Sequence, residues 1–303
     1  MSISSFLQSK KTVMLDGAMG TELQRRGYDT KLPLWSASAN FDSPELVEEI
    51  HREFIHAGAD IITTNTFRTT KRTFSKVGAP EKAIEATEAA VKIAKSAVKS
   101  VQRKIFIAGS VTTLEDCYKP DLVPEKEILE REHTFQIKHL ASLGVDFILA
   151  ETINSLTEAI VISKMTDELE IPFMISFVTD GNGNLLSGES LNDVVMSVKK
   201  YSPLGIMLNC RSLEILDNDL SVLQNSYHGM TGVYPNGCGK PDDKKGWNFI
   251  DNHHPAKKFA QFASKWISQG TKIIGGCCGT TPEYINAING LLKSTFQKTS
   301  VAI

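Results

Sequence analysis

Five cysteines stand at positions 117, 210, 238, 277 and 278, and the last two are adjacent. Neighbouring cysteines rarely bridge each other, because their geometry fits a disulfide poorly. In a reducing compartment, metal binding or thiol catalysis is the better use for such a pair. Adjacent residues of a regular strand point to opposite faces, so both sulfurs reach one ion only where the backbone leaves strand geometry. Gly275, Gly276 and Gly279 frame the pair and permit such a turn. With Cys210 as the third ligand, Cys277 and Cys278 complete a set of three thiolates. That set suits Zn²⁺ and leaves a fourth position open, as catalytic zinc requires. A metal bound only by sulfur is a weak activator of water, yet it can keep an incoming thiol deprotonated and nucleophilic. The chemistry expected is alkyl transfer to a thiol. Cys238 is a spare thiol that could approach the metal, and Cys117 reads as an ordinary loop or helix cysteine.

The elements that position these residues alternate. Apolar runs read as buried strands at Thr12–Leu15, Asp60–Thr64, Ile105–Gly109, Asp146–Ala150, Phe173–Phe177, Gly205–Leu208, Met230–Val233 and Lys272–Ile274. Helical periodicity fills Pro44–Ala57, Glu81–Val101, Glu125–Leu143, Leu156–Leu169, Leu191–Tyr201, Leu213–Leu223, Pro255–Gln269 and Pro282–Leu292. Ser43 stands at the N-cap position of the first of these, with Pro44 at its first residue. Strand–helix alternation implies parallel pairing and right-handed crossovers. Eight such units without a Ser- or Pro-rich linker favour a single (β/α)₈ TIM barrel, with an open doubly wound sheet as the alternative. A barrel places its chemistry at the C-terminal ends of its strands. Those ends carry Asp16-Gly17, Thr64-Asn65-Thr66, Ser110, Glu151-Thr152, Ser176, Asn209-Cys210, Tyr234-Pro235-Asn236 and Cys277-Cys278.

The bulk properties exclude several classes. The chain has 303 residues, 41% hydrophobic and 22% charged, with a net charge of −2, so nothing points to a nucleic acid or an anionic membrane. No apolar run approaches the roughly 18 residues of a membrane span, and the N-terminus lacks a secretory apolar core. The expected compartment is the cytoplasm. The histidines form no hydrolase-type ligand set: His51 and His56 fall on different helix faces, and His253-His254 reads as a loop before Pro255.

The stretches LDGAMGTELQRRG, AGADIITTNTF, AETI, LNCRS, VYPN and IGGCCGTTPEYI follow one another between Val13 and Ile285. In composition and order they resemble the homocysteine S-methyltransferase family. The resemblance implies one homocysteine-binding (β/α)₈ domain over residues 1–303, zinc held by Cys210, Cys277 and Cys278, and methylation of homocysteine to methionine. It places Asp16 and Glu151 against homocysteine, with Glu151 near the amino group. Backbone amides at Gly17 and Ala18, together with Asn209, would position the amino acid. The segment LPLWSASANFDSPELV is similar to that of members using S-methylmethionine. An aromatic face such as Trp35 suits a sulfonium, because a cation is attracted to the ring. Asn65, Thr66 and Phe67 would form part of the same wall. S-adenosylmethionine is the other sulfonium donor expected, and betaine or a selenocysteine acceptor is an alternative. From other classes, a dithiol redox protein and a non-catalytic zinc barrel closed by Cys238 remain open.

Overall fold

The computed structural model describes residues 1–242, 244–249 and 256–300. Its strands are β1 (Val13–Met14), β2 (Ile61–Thr63), β3 (Phe106–Val111), β4 (Phe147–Ile153), β5 (Phe173–Phe177), β6 (Gly205–Asn209), β7 (Thr231–Tyr234), β8 (Lys240–Asp242), β9 (Gly246–Asn248) and β10 (Ile273–Ile274). The helices are α1 (Ile3–Ser9), α2 (Met19–Arg25), α3 (Ala39–Asp42), α4 (Pro44–Ala57), α5 (Lys71–Ser75) and α6 (Lys82–Ala97), then α7 (Lys126–Ser142), α8 (Leu156–Glu168), α9 (Leu191–Val198), α10 (Leu213–Ser226), α11 (Ala256–Ser268) and α12 (Pro282–Ser300). Seven parallel pairings run in the order β1-β10-β7-β6-β5-β4-β3-β2. A parallel bridge between Leu15 and Ile61 joins the two ends. Asp60 N–H donates to Met14 O at 2.8 Å and Asp16 N–H to Ile61 O at 3.0 Å across that seam. The sheet is therefore a closed (β/α)₈ barrel, as expected, and the open doubly wound alternative is excluded.

Side-chain alternation along the strands builds two cores. Residues such as Val13, Ile61, Phe106, Ala108, Phe147, Leu149, Met174, Met207 and Ile273 fill the lumen. Their neighbours Met14, Ile148, Ile175, Ile206, Leu208, Val233 and Ile274 pack outward beneath the helices. Helix α1 closes the bottom of the lumen with Ile3, Phe6 and Leu7, and Phe6 packs against Phe106 with ring planes tilted by 45° and centroids 4.8 Å apart. Each of these large side chains contributes about 1.5–3 kcal/mol by burial.

Several elements differ from expectation. Strands β3 and β4 continue past Gly109 and Ala150: Ser110 and Val111 stay in the β3–β4 ladder, and β4 rejoins β5 at Ile153 after a register shift. Hairpin β8–β9 has no apolar alternation to announce it; it is anchored by buried Trp247, whose Nε1 donates to Cys238 O at 3.0 Å. Ser43 occupies the N-cap position of α4 but makes no side-chain capping bond. His253, His254 and Pro255 lie outside the described residues. Among the described residues, no helix is long and apolar enough to cross a membrane. His51 is buried in the helical layer, where desolvation pushes its pKa down to about 4.

Candidate active site

The alternation that fills the lumen continues one step above it with polar residues. Leu149, Ala108, Met174 and Met207 point inward, so Glu151, Ser110, Ser176 and Asn209, each two residues further on, point inward too. These four form a layer at the C-terminal mouth of the barrel. Ser110 Oγ donates a short hydrogen bond to the Glu151 carboxylate. Asn209 Oδ1 accepts from Ser176 Oγ at 2.7 Å and from Thr152 N–H at 3.2 Å. The register of β4 against β5 shifts between Ala150 and Ile153, and Thr152 takes a positive φ of 58°. Asn209 thus braces this irregularity through Oδ1, while its Nδ2 lies 3.9 Å from Cys277 Sγ, so it links β4 to the cysteine cluster without lining the cavity.

Three sulfurs meet beside that layer. Cys210 leaves β6 with φ 59°, in the left-handed region, and its Sγ lies 3.9 Å from that of Cys278. After β10 the chain abandons strand geometry, as the adjacent pair requires, and turns at Cys277–Gly279. Thr280 N–H and Oγ1 both donate to Cys277 O, at 3.1 and 2.7 Å. Gly279 has φ +76°, and a Cβ there would stand 2.3 Å from Cys238 O, so only glycine fits. The Sγ atoms of Cys210, Cys277 and Cys278 all lie within 4.8 Å of one another. Among the described residues this is the one such convergence of three or more potential ligands.

That donor set fits a metal ion. Tetrahedral bonds of about 2.3 Å to sulfur imply sulfur–sulfur edges of about 3.8 Å, close to the separation seen. Hydrogen bonds from Cys277 and Cys278, with a further one from Tyr118, hold the Cys210 thiol well below its ordinary pKa. The same contacts with Cys210, joined by burial, push Cys277 and Cys278 up. Three enclosed thiols cannot all lose protons unless a cation compensates them. Cys238 does not join the cluster; its Sγ lies 3.3 Å from Tyr284 Oη.

Two carboxyls face the same space. Asp16 Oδ2 accepts Thr63 N–H at 2.7 Å and Oδ1 accepts Thr63 Oγ1 at 3.0 Å. Burial nevertheless raises its pKa to about 8, against the pull of those bonds and with the Glu151 charge adding to the rise. Glu151 is enclosed except where it opens onto the cavity. Desolvation lifts it to about 7, the Ser110 bond restrains it, and the Cys210 charge lifts it further. Both acids are thus poised to ionise when a cation arrives.

The wall above is aromatic. Trp35 lies between α2 and the β8–β9 hairpin: a Cβ on Gly20 or Gly246 would fall 2.1 or 2.2 Å from its indole. Leu32, Phe67 and Trp247 line the cavity with it. Of the other expected contacts, Gly17 and Ala18 line the cavity, but Ala18 N–H already donates to Thr280 Oγ1 at 3.3 Å. Asn65 lines it too, although its amide is engaged by Ser36 and Asn40. Thr66 points away, donating to Ser110 O at 2.8 Å, and is not part of the lining.

Among the lining residues that the sequence did not single out are Arg68 and Tyr118, and Cys117, read there as an ordinary loop or helix cysteine, lines the cavity as well. Tyr118 Oη lies 3.0 Å from Cys210 Sγ and donates to Cys210 O at 3.1 Å. Cys117 is buried beside it, and desolvation together with the Cys210 charge pushes its thiol pKa up. The signal available was positional: both lie in the connection between β3 and α7, on the face where a barrel's functional loops gather.

Residues 13–292 match the family model described as homocysteine S-methyltransferase. The chain belongs to the homocysteine S-methyltransferase family. It is accordingly a methyltransferase acting on small molecules. Homocysteine S-methyltransferase 1 of Zea mays is 29% identical, over 92% of this chain and 94% of its own. Selenocysteine Se-methyltransferase of Brassica oleracea var. italica is 30% identical, over 93% and 89%. Among solved structures, the metallated form of the homocysteine methyltransferase MmuM from Escherichia coli superposes with a TM-score of 0.83. It is 26% identical, and the match covers 95% of this chain and 98% of that one.

Proposed function

We propose that this member of the family transfers a methyl group from a sulfonium donor, S-methylmethionine or S-adenosylmethionine, to the thiol of L-homocysteine, giving methionine. The whole chain, residues 1–303, serves as one homocysteine-binding barrel. The observation that carries the reading is the convergence of Cys210, Cys277 and Cys278 beside two enclosed carboxyls. These cysteines would hold Zn²⁺, which keeps a bound thiol deprotonated and nucleophilic. The name of the metallated relative supports the presence of a metal.

The remaining work falls to the protein's own groups. Glu151 takes the homocysteine ammonium, a charge-assisted contact that a closed cavity strengthens. Asp16, fixed by Thr63, adds negative charge on the same side. The Gly17 backbone faces the carboxylate. Trp35 and Phe67 offer ring faces to the donor cation, and the rings around the mouth displace water from the reacting atoms. The methyl carbon leaves the donor sulfur with the bonding pair remaining on that sulfur, and it bonds to the homocysteine sulfur. The donor departs as a neutral thioether, a second methionine when S-methylmethionine is used.

Tyr118 steadies Cys210 from outside the thiol set. Tyr118→Phe is expected to lower zinc affinity and kcat/KM by about 10-fold, the lower end of what loss of an outer hydrogen bond costs a metal site. Zinc titration against a competing chelator checks this. The function itself is tested by offering homocysteine and selenocysteine with S-methylmethionine, S-adenosylmethionine and betaine in parallel. Methionine formation with a sulfonium donor is expected. Turnover with betaine alone would overturn the donor assignment, and failure to methylate homocysteine would overturn the acceptor. The selenocysteine-methylating relative makes that acceptor the second reading.

A further inference from the structure

The charges around the cavity are unequal. Asp16, Asp116, Glu151 and Asp242 line it together with the thiol cluster, and among the described lining residues Arg68 is the one cationic side chain. Such a surface attracts ammonium and sulfonium groups, but it repels the carboxylate that any amino-acid substrate also brings.

Arg68 is held without being neutralised. Its Nη1 donates to Glu115 O at 3.1 Å, and its Cζ lies 5.1 Å from the Phe67 ring centroid. The nearest acids are taken. The Glu115 carboxylate pairs with Arg72 and Lys76, and Glu132 pairs with Arg72. Asp116 accepts Tyr118 N–H at 2.9 Å and faces Lys119. No ion pair to Arg68 occurs among the described residues, and of its five N–H donors one has a protein acceptor. Its position relative to the thiols is also constrained. From Glu115, which Arg68 grips, to Cys117 on the cavity wall is two residues, at most about 7 Å of chain. Tyr118, the next residue, touches Cys210. Arg68 and the thiol cluster are therefore joined by one short stretch of cavity wall, and the Phe67 ring that Arg68 covers lines the same cavity.

We propose that Arg68 receives the carboxylate of the methyl donor, so that the site selects a sulfonium carrying a free carboxylate. The inference rests on the sulfonium-donor reading above and adds the anchor at the donor's other end. A guanidinium presents parallel N–H bonds that match a carboxylate, while the fixed Phe67 contact limits the entropy lost on binding. The four acids then face the cationic ends of both substrates, and Arg68 handles the anionic end of the donor.

The test compares wild type, Arg68→Gln and Arg68→Lys with S-methylmethionine and with its carboxamide, which keeps the sulfonium and loses the negative charge. KM is measured for each donor and for homocysteine, alongside calorimetric Kd values for each donor. Arg68→Gln is expected to raise KM and Kd for S-methylmethionine by about 10- to 100-fold, the worth of a hydrogen-bonded charge pair. It should leave the carboxamide and the homocysteine KM unmoved, and Arg68→Lys should recover part of the loss. Equal binding of S-methylmethionine by Arg68→Gln and wild type overturns the inference. So does a loss shared by acid and carboxamide, or one that falls on homocysteine instead. Wild-type turnover with S-methylmethionine reports on the donor reading alone, and if wild type binds no carboxylate-bearing sulfonium, both fall.

Discussion

Cys278→Ala is expected to lose bound zinc and methyl transfer together. The three sulfurs lie within 4.8 Å of one another, and the 3.9 Å between Cys210 and Cys278 is close to the edge of about 3.8 Å for a tetrahedron of sulfur around one ion. Removing one sulfur leaves two thiolates and a cavity where the turn at Cys277–Gly279 had fixed the third. The loss should exceed the roughly 10- to 100-fold cost of disturbing an outer partner, because a ligand itself is gone. The fold should survive, since Cys278 sits in a turn held by its backbone, with Cys278 O accepting Gly237 N–H at 2.8 Å. Metal analysis and turnover on the same preparation, with a melting curve as control, decide the matter. A metal-free Cys278→Ala protein that still turned over at the wild-type rate would be incompatible with this role.

Glu151→Gln is the second large effect. The side chain keeps its size and its bond from Ser110, so the substitution removes charge with little change in packing. A neutral amide cannot compensate an ammonium in an enclosed site, and the lost charge-assisted contact corresponds to about 1.5–3 kcal/mol. We expect kcat/KM for homocysteine to fall by about 10- to 150-fold, while zinc content stays at the wild-type level. The two variants therefore separate in one experiment: Cys278→Ala loses metal and activity, and Glu151→Gln loses activity alone. Unchanged homocysteine kinetics in Glu151→Gln would remove this residue from substrate binding.

The sequence was most informative where a physical rule linked spacing to direction. Apolar runs alternating with helical periodicity identified the barrel. An adjacent cysteine pair between glycines required a turn at the end of the last barrel strand, and the structure has one. Parity along the strands also carries Ser110, Glu151, Ser176 and Asn209 to the inner face. It does not show which of them reaches the cavity. Asn209 braces the β4 irregularity across β5 and meets Cys277 Sγ with its Nδ2, and Thr66 turns toward Ser110 O, partners that spacing along one strand does not reveal. Hairpin β8–β9 was illegible because Lys240–Asn248 is mostly charged and polar, with Trp247 alone anchoring it in the interior. Tyr118 and Arg68 were missed for a related reason. Loop side chains have no periodicity to aim them, so their meeting with Cys210 and Glu115 depends on a path that only the folded chain defines.

The most direct test of the account is zinc content measured alongside homocysteine methylation, on one sample kept reduced, before chelation, after chelation and after zinc is restored. The account predicts roughly one zinc ion per chain, with methionine formation lost on chelation and regained on adding zinc back. Undiminished methionine formation in protein shown to be free of metal would contradict it.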